Sequence, residues 1–168
     1  FDGLAAHRVA IAAKAFAHRF ELAPSTAPEH ESEPHRTDRL AGHRTAGAGG
    51  FVDITARARK IVFSGNFNAG AKLKIEEGRL TILREGKIAK IVPAVDQISF
   101  SGKRAVAQGQ QITYVTERCV MQLTEQGLVV TEIAPGIDVE RDILRQATGR
   151  IHVSDTLRLM DARLFQDA

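Results

Sequence analysis

After Ala46 the chain becomes a succession of short apolar segments separated by turns. The segments are rich in β-branched residues and are bounded by glycine or charged residues, a pattern typical of β-strands. They are Ile61–Phe63, Leu73–Ile75, Leu80–Leu83, Ile91–Val92, Ile98–Phe100, Ile112–Thr116, Val120–Leu123 and Leu128–Thr131. The pattern predicts a strand-rich region from residue 46 onward.

The spacing of apolar and polar residues separates hairpins from a buried strand. Residues 71–76 and 79–84 alternate, which favours a hairpin with one solvated face. Residues 120–133 show a similar pattern, which predicts a hairpin that turns at Gly127. Ile61–Phe63 is apolar without alternation, as expected of a strand buried on both faces.

Helical spacing occurs near the start of the chain. Val9, Ala13, Phe16 and Phe20 lie on one face of a helix over residues 4–20. A surface helix is favoured over a cationic organelle transit peptide, because the segment contains no serine.

A second helix is predicted after the last hairpin. Asp138 suits its N-cap, Glu140 its first turn and Gly149 its end. Its buried stripe would be Ile143, Leu144 and Ala147. The tail over residues 157–165 is equally compatible with a strand or one more helix.

The chain divides near Ala46. Residues 21–44 are rich in Pro, Glu, His and Arg, and their charge mixture has too few apolar residues to fold by itself. We therefore assign residues 1–45 to a helical and then irregular polar stretch, and residues 46–168 to a strand-rich domain of the α/β or α+β class.

Composition excludes several classes of function. The chain has 168 residues and a net charge of +3, and it has no Trp and one Tyr, which argues against nucleic-acid binding. No apolar run is long enough for a membrane span. The single cysteine, Cys119, cannot form an internal disulfide, so we expect a cytoplasmic protein. His30 and His35 lack the paired spacing of a metal site, and we expect no bound metal.

The segment Gly47-Ala48-Gly49-Gly50-Phe51 is the most informative local feature. Three glycines before a predicted strand allow positive φ and close approach of the backbone to a ligand. Consecutive N–H groups in such a turn bind a phosphate, a carboxylate or a developing oxyanion. The alternative is a plain tight turn or linker end. No Gly-Lys-Ser/Thr follows, so the segment is not a P-loop.

Other candidate groups are weaker. A basic cluster at Arg57, Arg59 and Lys60 could face phosphates, but a solvated start of a strand explains it equally well. Glu117 and Glu132 lie near strand ends without a histidine or second carboxylate nearby in sequence. Cys119 lies within a predicted strand, and we expect it to be a buried apolar group rather than a nucleophile.

Seven ordered segments carry a family resemblance. They are AGAGGFVDIT (46–55), KIVFSGNFNAG (60–70), EGKIAKIVPAV (85–95), QISFSG (97–102), YVTERC (114–119), GLVVTEIAPGIDVERDI (127–143) and LMDARLF (159–165). In this order and spacing they resemble the C-terminal region of the family I coenzyme A transferases. The subgroup they are most similar to is the acetate/propionate or short-chain acyl-CoA:acetate/3-ketoacid type, which carries both functional halves on one polypeptide.

The resemblance implies an α/β transferase fold and an activity. A family glutamate attacks an acyl-CoA, and CoA moves to a short-chain carboxylic acid through acyl-glutamyl anhydride and glutamyl-CoA intermediates. CoA is a substrate there, with no permanently bound cofactor, and the complete enzyme is expected to be a homo-oligomer of short-chain acyl-CoA and ketone body metabolism. The family glutamate would fall before Phe1, so no catalytic residue is assigned and the isolated chain is expected to be inactive.

Two features of the family map onto this chain. Its glycine-rich active-site turn corresponds to Gly47, Gly49 and Gly50, whose N–H groups would stabilise the oxyanion and approach the CoA thioester. A CoA-contacting lysine corresponds to Lys87, although a solvated hairpin lysine is the alternative at that position.

The resemblance stops upstream of the glycine turn. Residues 1–44 lack the Gly-rich and Gly-Asn-Val-Asn-like segments of the family, which suggests translation in a shifted reading frame or a diverged terminus. Two functions stay open: a transferase fragment that a separate upstream half would complete, and a non-catalytic binding or assembly module with the same fold.

Overall fold

The computed structural model describes residues 9–12, 20–21, 49–93 and 98–166. The described chain is strand-rich, with two short α-helices. The strands are β1 (Val9–Ala12), β2 (Phe20–Glu21), β3 (Lys60–Ser64), β4 (Asn68–Ala69), β5 (Lys72–Glu76), β6 (Arg79–Arg84), β7 (Ile88–Ala89), β8 (Ile91–Val92), β9 (Gln111–Val115), β10 (Cys119–Thr124), β11 (Gly127–Ile133) and β12 (Ile151–Leu159). The helices are α1 (Gly49–Arg57) and α2 (Gly102–Ala107), with a π-helical turn at Glu140–Leu144 and a 3-10 turn at Ala162–Phe165.

The main sheet has six strands in the order β1-β3-β9-β10-β11-β12. β1, β3 and β9 are parallel, β10 is antiparallel to both of its neighbours, and β12 is parallel to β11. This mixed sheet, with helices packed against it, confirms the predicted α/β class. Inward-facing residues alternate along the strands, as Ile61 and Phe63 on β3 and Ile112 and Tyr114 on β9 show, and all four are buried.

Helix α1 runs antiparallel to β3 and packs against it through aromatic rings. Phe51, near the start of α1, lies with its ring centroid 6.1 Å from that of Phe63, near the end of β3. The ring of Phe100, just before α2, lies 5.4 Å from the same Phe63 ring. The first turn of α1 therefore lies toward the carboxyl end of β3. Gln110 donates Nε2–H bonds to the carbonyls of Thr55 and Ala58, 2.8 and 2.6 Å away, and so satisfies acceptors at the end of α1.

A long crossover connects β3 to the adjacent strand β9. It contains the antiparallel hairpin β5–β6, which turns at Glu77 and Gly78 with φ angles of 51° and 73°. This hairpin is the one that the alternating pattern predicts. The crossover also contains the small pair β4–β7, and Gly86 lies against β4 so closely that an added Cβ would be 2.6 Å from the Ala69 carbonyl oxygen.

Most predicted strands are confirmed, and Ile98–Phe100 is the exception. Those residues form no strand, because the following Ser101 is an N-cap whose Oγ accepts the Arg104 N–H at 3.3 Å and starts α2. The hairpin over residues 120–133 is confirmed as β10–β11. The tail over residues 157–165, for which a strand and a helix were equally compatible, contains both: the end of β12 and then the 3-10 turn.

The helix predicted after the last hairpin is only partly correct. Asp138 does cap it, because its Oδ1 accepts the Arg141 N–H at 2.7 Å. Ile143 is fully buried, as predicted. However, the π-helical turn ends at Leu144, and the N–H of Gly149 donates to the Ile91 carbonyl instead of closing a helix.

The N-terminal helix prediction is wrong where the structure describes it. Val9–Ala12 pairs in parallel with β3, and Phe20–Glu21 pairs in parallel with β8. The remainder of the segment over residues 4–20 lies outside the described residues, as does most of the polar stretch that follows. Within the described chain, neither helix has the length and apolarity needed to cross a bilayer.

Candidate functional site

The carboxyl ends of β3 and β9 form the edge at which the candidate residues gather. The two strands are parallel, with Ser64 paired to Val115 at the end of each. The segments that leave this edge are Gly65–Gly70, which we call the β3 loop, and Thr116–Arg118. Open α/β sheets bind their ligands outside the carboxyl ends of parallel strands. The sheet therefore directs both segments to the position where a ligand is expected.

Two glycines of the predicted turn, Gly49 and Gly50, lie toward the same edge, but they begin a helix and do not precede a strand directly. Gly49 and Gly50 are the first two residues of α1, and β3 begins only at Lys60. Gly50 is exposed, and an added Cβ would meet nothing within 4 Å. The N–H groups of a first helical turn attract anions without requiring positive φ. Gly47 lies outside the described residues.

A buried arginine organises the second part of the edge. The side chain of Arg118 has no exposed surface, and its guanidinium binds two carboxylates. Nε donates to Glu117 Oε1 at 3.0 Å, while Nη1 and Nη2 donate to the two oxygens of Glu85 at 2.9 and 3.1 Å. Nη1 also donates to the Asp142 carbonyl at 2.8 Å. We call Arg118, Glu85 and Glu117 the Arg118 cluster.

The Arg118 cluster holds the β3 loop directly. Glu117 Oε2 accepts the Phe67 N–H at 2.7 Å, and the guanidinium carbon lies 4.7 Å from the centre of the Phe67 ring. Glu85 Oε1 accepts from Asn68 Nδ2 at 3.1 Å and from the Gly86 N–H at 2.8 Å. The β3 loop is thus held through the backbone of Phe67 and through the side chain of Asn68.

Hydrogen bonds and nearby charges favour the ionised forms of Glu85 and Arg118. Burial raises the pKa of Glu85, but the Arg118 hydrogen bond, the Gly86 N–H and the Asn68 amide together hold it below its ordinary value. Burial lowers the pKa of Arg118, but its hydrogen bonds and charge contacts with Glu85 and Glu117 outweigh that effect and raise it. The Arg118 guanidinium thus donates hydrogen bonds to the carboxylates of both Glu85 and Glu117.

Lys87 lies next in the chain to a residue that packs against the β3 loop. It follows Gly86, which contacts Asn68 and Ala69, and its side chain is exposed. The structure thus brings the predicted lysine beside a loop that leaves the carboxyl end of β3.

The other predicted candidates lie elsewhere. Arg57 ends α1 and Lys60 begins β3, so the basic cluster lies at the opposite end of that strand from the glycine turn. Glu132 pairs with the exposed Arg158 at 2.8 Å. Cys119 is fully buried, and burial raises the pKa of its thiol to about 12, which agrees with the prediction of a buried apolar group.

A groove of about 240 Å³ lies between the two helices on one face of the sheet. Its wall includes Val52 and Thr55 of α1, Ile98 and Phe100 before α2, and Arg104 of α2. Val52 and Ile98 are large apolar residues with exposed side chains. The groove is smaller than the cavities that usually enclose a whole cofactor.

The Arg118 cluster is not predicted by the sequence pattern. No histidine or second carboxylate lies near Glu117 in the sequence, but the next residue, Arg118, donates a hydrogen bond to it. Glu85 lies 33 residues from Arg118, and only the folding of the crossover brings them together. The available signal was an arginine next to a glutamate at the end of an otherwise apolar strand, where burial requires a countercharge.

Comparison with known proteins identifies relatives with one chemistry. No family model matches the chain. It is 46% identical over 126 residues to the caffeate CoA-transferase of Acetobacterium woodii, covering 75% of this chain and 24% of that protein. It is 46% identical over 123 residues to the acetate CoA-transferase YdiF of Escherichia coli (strain K12), covering 73% of this chain and 23% of that protein.

Solved structures agree with the sequence comparison. The acyl-CoA transferase YdiF apoenzyme from Escherichia coli O157:H7 superposes with a TM-score of 0.70 at 45% identity, over 73% of this chain and 24% of that one. The YdiF thioester complex with CoA gives 0.70 at 42% identity, over 77% and 26%. The decarboxylase AibA/AibB is 16% identical with a TM-score of 0.50 and shares the fold alone.

The chain spans about a quarter of the length of the curated relatives that it matches. Within that span, identity of 46% and agreement of the fold both point to one group of enzymes. Over about three-quarters of its length, the chain corresponds to a portion of the family I CoA-transferases.

Proposed function

We propose that the chain is the C-terminal part of an enzyme that moves CoA between a short-chain acyl-CoA and a carboxylic acid. The observation that carries the proposal is 46% identity to an acetate and a caffeate CoA-transferase over three-quarters of the chain. The similarity to a YdiF thioester complex with CoA supports CoA as the substrate. Short-chain acyl-CoA metabolism, including that of ketone bodies, is the corresponding cellular setting.

The reaction would pass through a glutamate supplied by sequence outside this chain. Its carboxylate attacks the acyl-CoA carbonyl, which expels CoA thiolate and forms an acyl-glutamyl anhydride. The thiolate then attacks the glutamyl carbonyl, releasing the acyl group as a carboxylate and leaving a glutamyl-CoA thioester. An acceptor carboxylate reverses the two steps and leaves as the new acyl-CoA.

The described residues would contribute binding and electrostatic stabilisation. The first turn of α1, with Gly49 and Gly50, offers N–H groups to the negative oxygen that develops at each carbonyl. Gly47 completes this turn in the proposal. Lys87 would pair with an anionic group of CoA, which carries several phosphates.

The isolated chain is proposed to be inactive. The two carboxylates at the carboxyl edge of the parallel strands, Glu85 and Glu117, are both engaged by Arg118 and so are poor nucleophiles. The same observation favours the second candidate function, a non-catalytic binding or assembly module with a transferase fold. Both candidates predict CoA binding without turnover by this chain alone.

Turnover separates the two candidates. The purified chain is incubated with acetyl-CoA and propionate, and propionyl-CoA is followed by mass spectrometry, alone and after co-expression with the upstream part of the YdiF-type relative. We expect product only in the complemented sample. Product from the chain alone would contradict the placement of the nucleophile outside it, and no product in either sample would favour the binding module.

The Lys87 assignment has a matched control. Lys74 is also an exposed lysine of the crossover, on β5, where it pairs with Glu76 at 2.7 Å. Lys87→Ala is expected to weaken CoA binding about fivefold at low salt, the effect of one charge-assisted contact, while Lys74→Ala leaves it unchanged. Equal effects of the two substitutions in calorimetric titrations would remove Lys87 from the site.

A further inference from the structure

The β3 loop is held from several directions at once by the Arg118 cluster. Glu117 binds the Phe67 N–H, Glu85 binds the Asn68 side chain, and Arg118 lies against the Phe67 ring. Arg118 ties these contacts to a third segment through the Asp142 carbonyl. Each contact is a hydrogen bond or ring contact of defined direction, so the loop has little freedom to move.

Asn66 is the residue that this arrangement presents to solvent. It lies between Gly65, whose N–H donates to the Val115 carbonyl at 3.1 Å, and Phe67, whose N–H donates to Glu117 at 2.7 Å. Its own side chain is exposed, while Phe67 and Asn68 are buried. The backbone on both sides of Asn66 is therefore fixed, and its exposed amide lies in a loop that leaves the carboxyl edge of the parallel strands, where ligands of such sheets bind.

We propose that the Arg118 cluster is a positioning device for acyl-CoA, which fixes the β3 loop so that the Asn66 side chain binds the amide-bearing pantetheine arm of CoA. A carboxamide carries two donors and one acceptor, and so it complements the amide groups of that arm. Asn66 is then the residue in contact with the ligand, and Glu117 and Arg118 are positioning residues that act through it. This inference rests on the proposed function.

An ion cluster suits positioning better than it suits stability. Replacing a buried ion pair with apolar residues of similar volume is often neutral for stability, because desolvation offsets the attraction between the charges. What the charges add is fixed direction, since a forked guanidinium binds its carboxylates only in a narrow geometry. Small displacements of a contact residue weaken binding strongly, so directional restraint on Asn66 has a measurable consequence.

The test measures CoA affinity in the full chain by calorimetry, with Arg118→Lys and four other variants. Asn66→Ala removes the contact, Glu117→Gln removes the charge that binds both Phe67 and Arg118, and the double variant combines them. Gln126→Ala is the control, because Gln126 is an exposed amide in the distant β10–β11 turn. Hydrogen exchange of the Phe67 amide and urea unfolding are recorded for each variant.

A specific pattern is expected. Asn66→Ala and Glu117→Gln should each weaken CoA binding about fivefold, the loss of one hydrogen bond, and the double variant should also lose about fivefold rather than the product. Glu117→Gln should speed exchange of the Phe67 amide, whereas Asn66→Ala should not. Arg118→Lys keeps the charge but loses the fork, and it should weaken CoA binding in the same direction.

The outcomes separate this inference from the function on which it rests. If the unaltered chain does not bind CoA, the proposed function and the positioning role both fail. If it binds CoA but Asn66→Ala behaves as Gln126→Ala does, only the positioning role is overturned. The same holds if Glu117→Gln lowers the urea midpoint while CoA affinity stays unchanged, because the cluster would then serve stability alone.

Discussion

Removing the Arg118 guanidinium is expected to destabilise the protein more than removing any exposed arginine. In Arg118→Met the apolar stem is kept, but Glu85 and Glu117, with side chains only 28% and 15% exposed, lose their shared cation. Breaking a buried ion pair on one side costs about 3–5 kcal/mol, because an uncompensated buried charge remains. Native domains are stable by only about 5–15 kcal/mol, so the loss is a large share of the total.

The matched control is Arg158→Met. Arg158 binds Glu132 at 2.8 Å, a distance similar to those in the Arg118 cluster, but its side chain is 72% exposed. An exposed pair of this kind contributes at most about 1 kcal/mol. Urea unfolding followed by circular dichroism compares the two variants, and with an m-value of about 1.5 kcal/mol/M the Arg118 variant should lose roughly 2–3 M in its midpoint.

The pH dependence of the difference identifies its cause. Burial raises the pKa of Glu85, and without Arg118 the main effects that oppose burial are lost, so this pKa is higher in the folded variant than in the folded unaltered protein. In the unaltered protein the pKa of Glu85 is lowered, so stability is present above pH 4.5 and decreases below it. The difference in unfolding free energy between the two proteins should therefore narrow as the pH falls toward 4.5 and below it. A gap that stays constant, or a loss no greater than that of Arg158→Met, would refute the electrostatic explanation.

Three further predictions test other parts of the structure. Gly86→Ala should lower the free energy of unfolding in urea by about 1–3 kcal/mol, because the added Cβ would lie 2.6 Å from a backbone oxygen. The control Gly50→Ala should leave that free energy unchanged or raise it by up to about 1 kcal/mol. Equal losses in the two variants would contradict the contact of Gly86 with β4. Cys119 should not react with a thiol-specific disulfide reagent at pH 8 in the folded protein, because burial raises the pKa of its thiol to about 12. It should react fully once the protein is unfolded in urea. Rapid reaction without urea would contradict the burial of Cys119. The hydrogen bond from Arg141 holds the pKa of Asp142 low despite burial. Asp142→Asn should therefore make the free energy of unfolding fall less steeply as the pH decreases below 3.8. The same pH dependence in both proteins would show that this carboxylate does not contribute to it.

Local features of the fold could be predicted, because their determinants are close together in the sequence. The β5–β6 hairpin has two alternating segments joined by Glu77 and Gly78, which supply the positive φ values that the turn needs. Asp138 caps the next turn through a bond to a residue three positions away. In each case the pattern and the contact lie within one short segment.

The missed features depend on context that a local pattern does not contain. Helix α1 begins with two glycines, which are poor helix formers, and packing of Phe51 on β3 stabilises it instead. Ser101-Gly102 resembles a turn between strands, but the serine side chain caps α2. The Arg118 cluster depends on Glu85, which the crossover brings into place. The carboxyl-edge site follows from strand pairing rather than from any motif.

The crossover between β3 and β9 has a consequence for the order of folding. The β5–β6 and β10–β11 hairpins join residues that are near neighbours in the chain, and such pairs close within microseconds. Pairing of β3 with β9 requires the whole segment from Ser64 to Gln111 to be closed first, and parallel contacts of high sequence separation form slowly. Arg118 can meet Glu85 only when that closure is complete. The carboxyl edge of β3 and β9 is therefore expected to acquire its native shape after the two hairpins, and until then it is exposed to misfolding during synthesis.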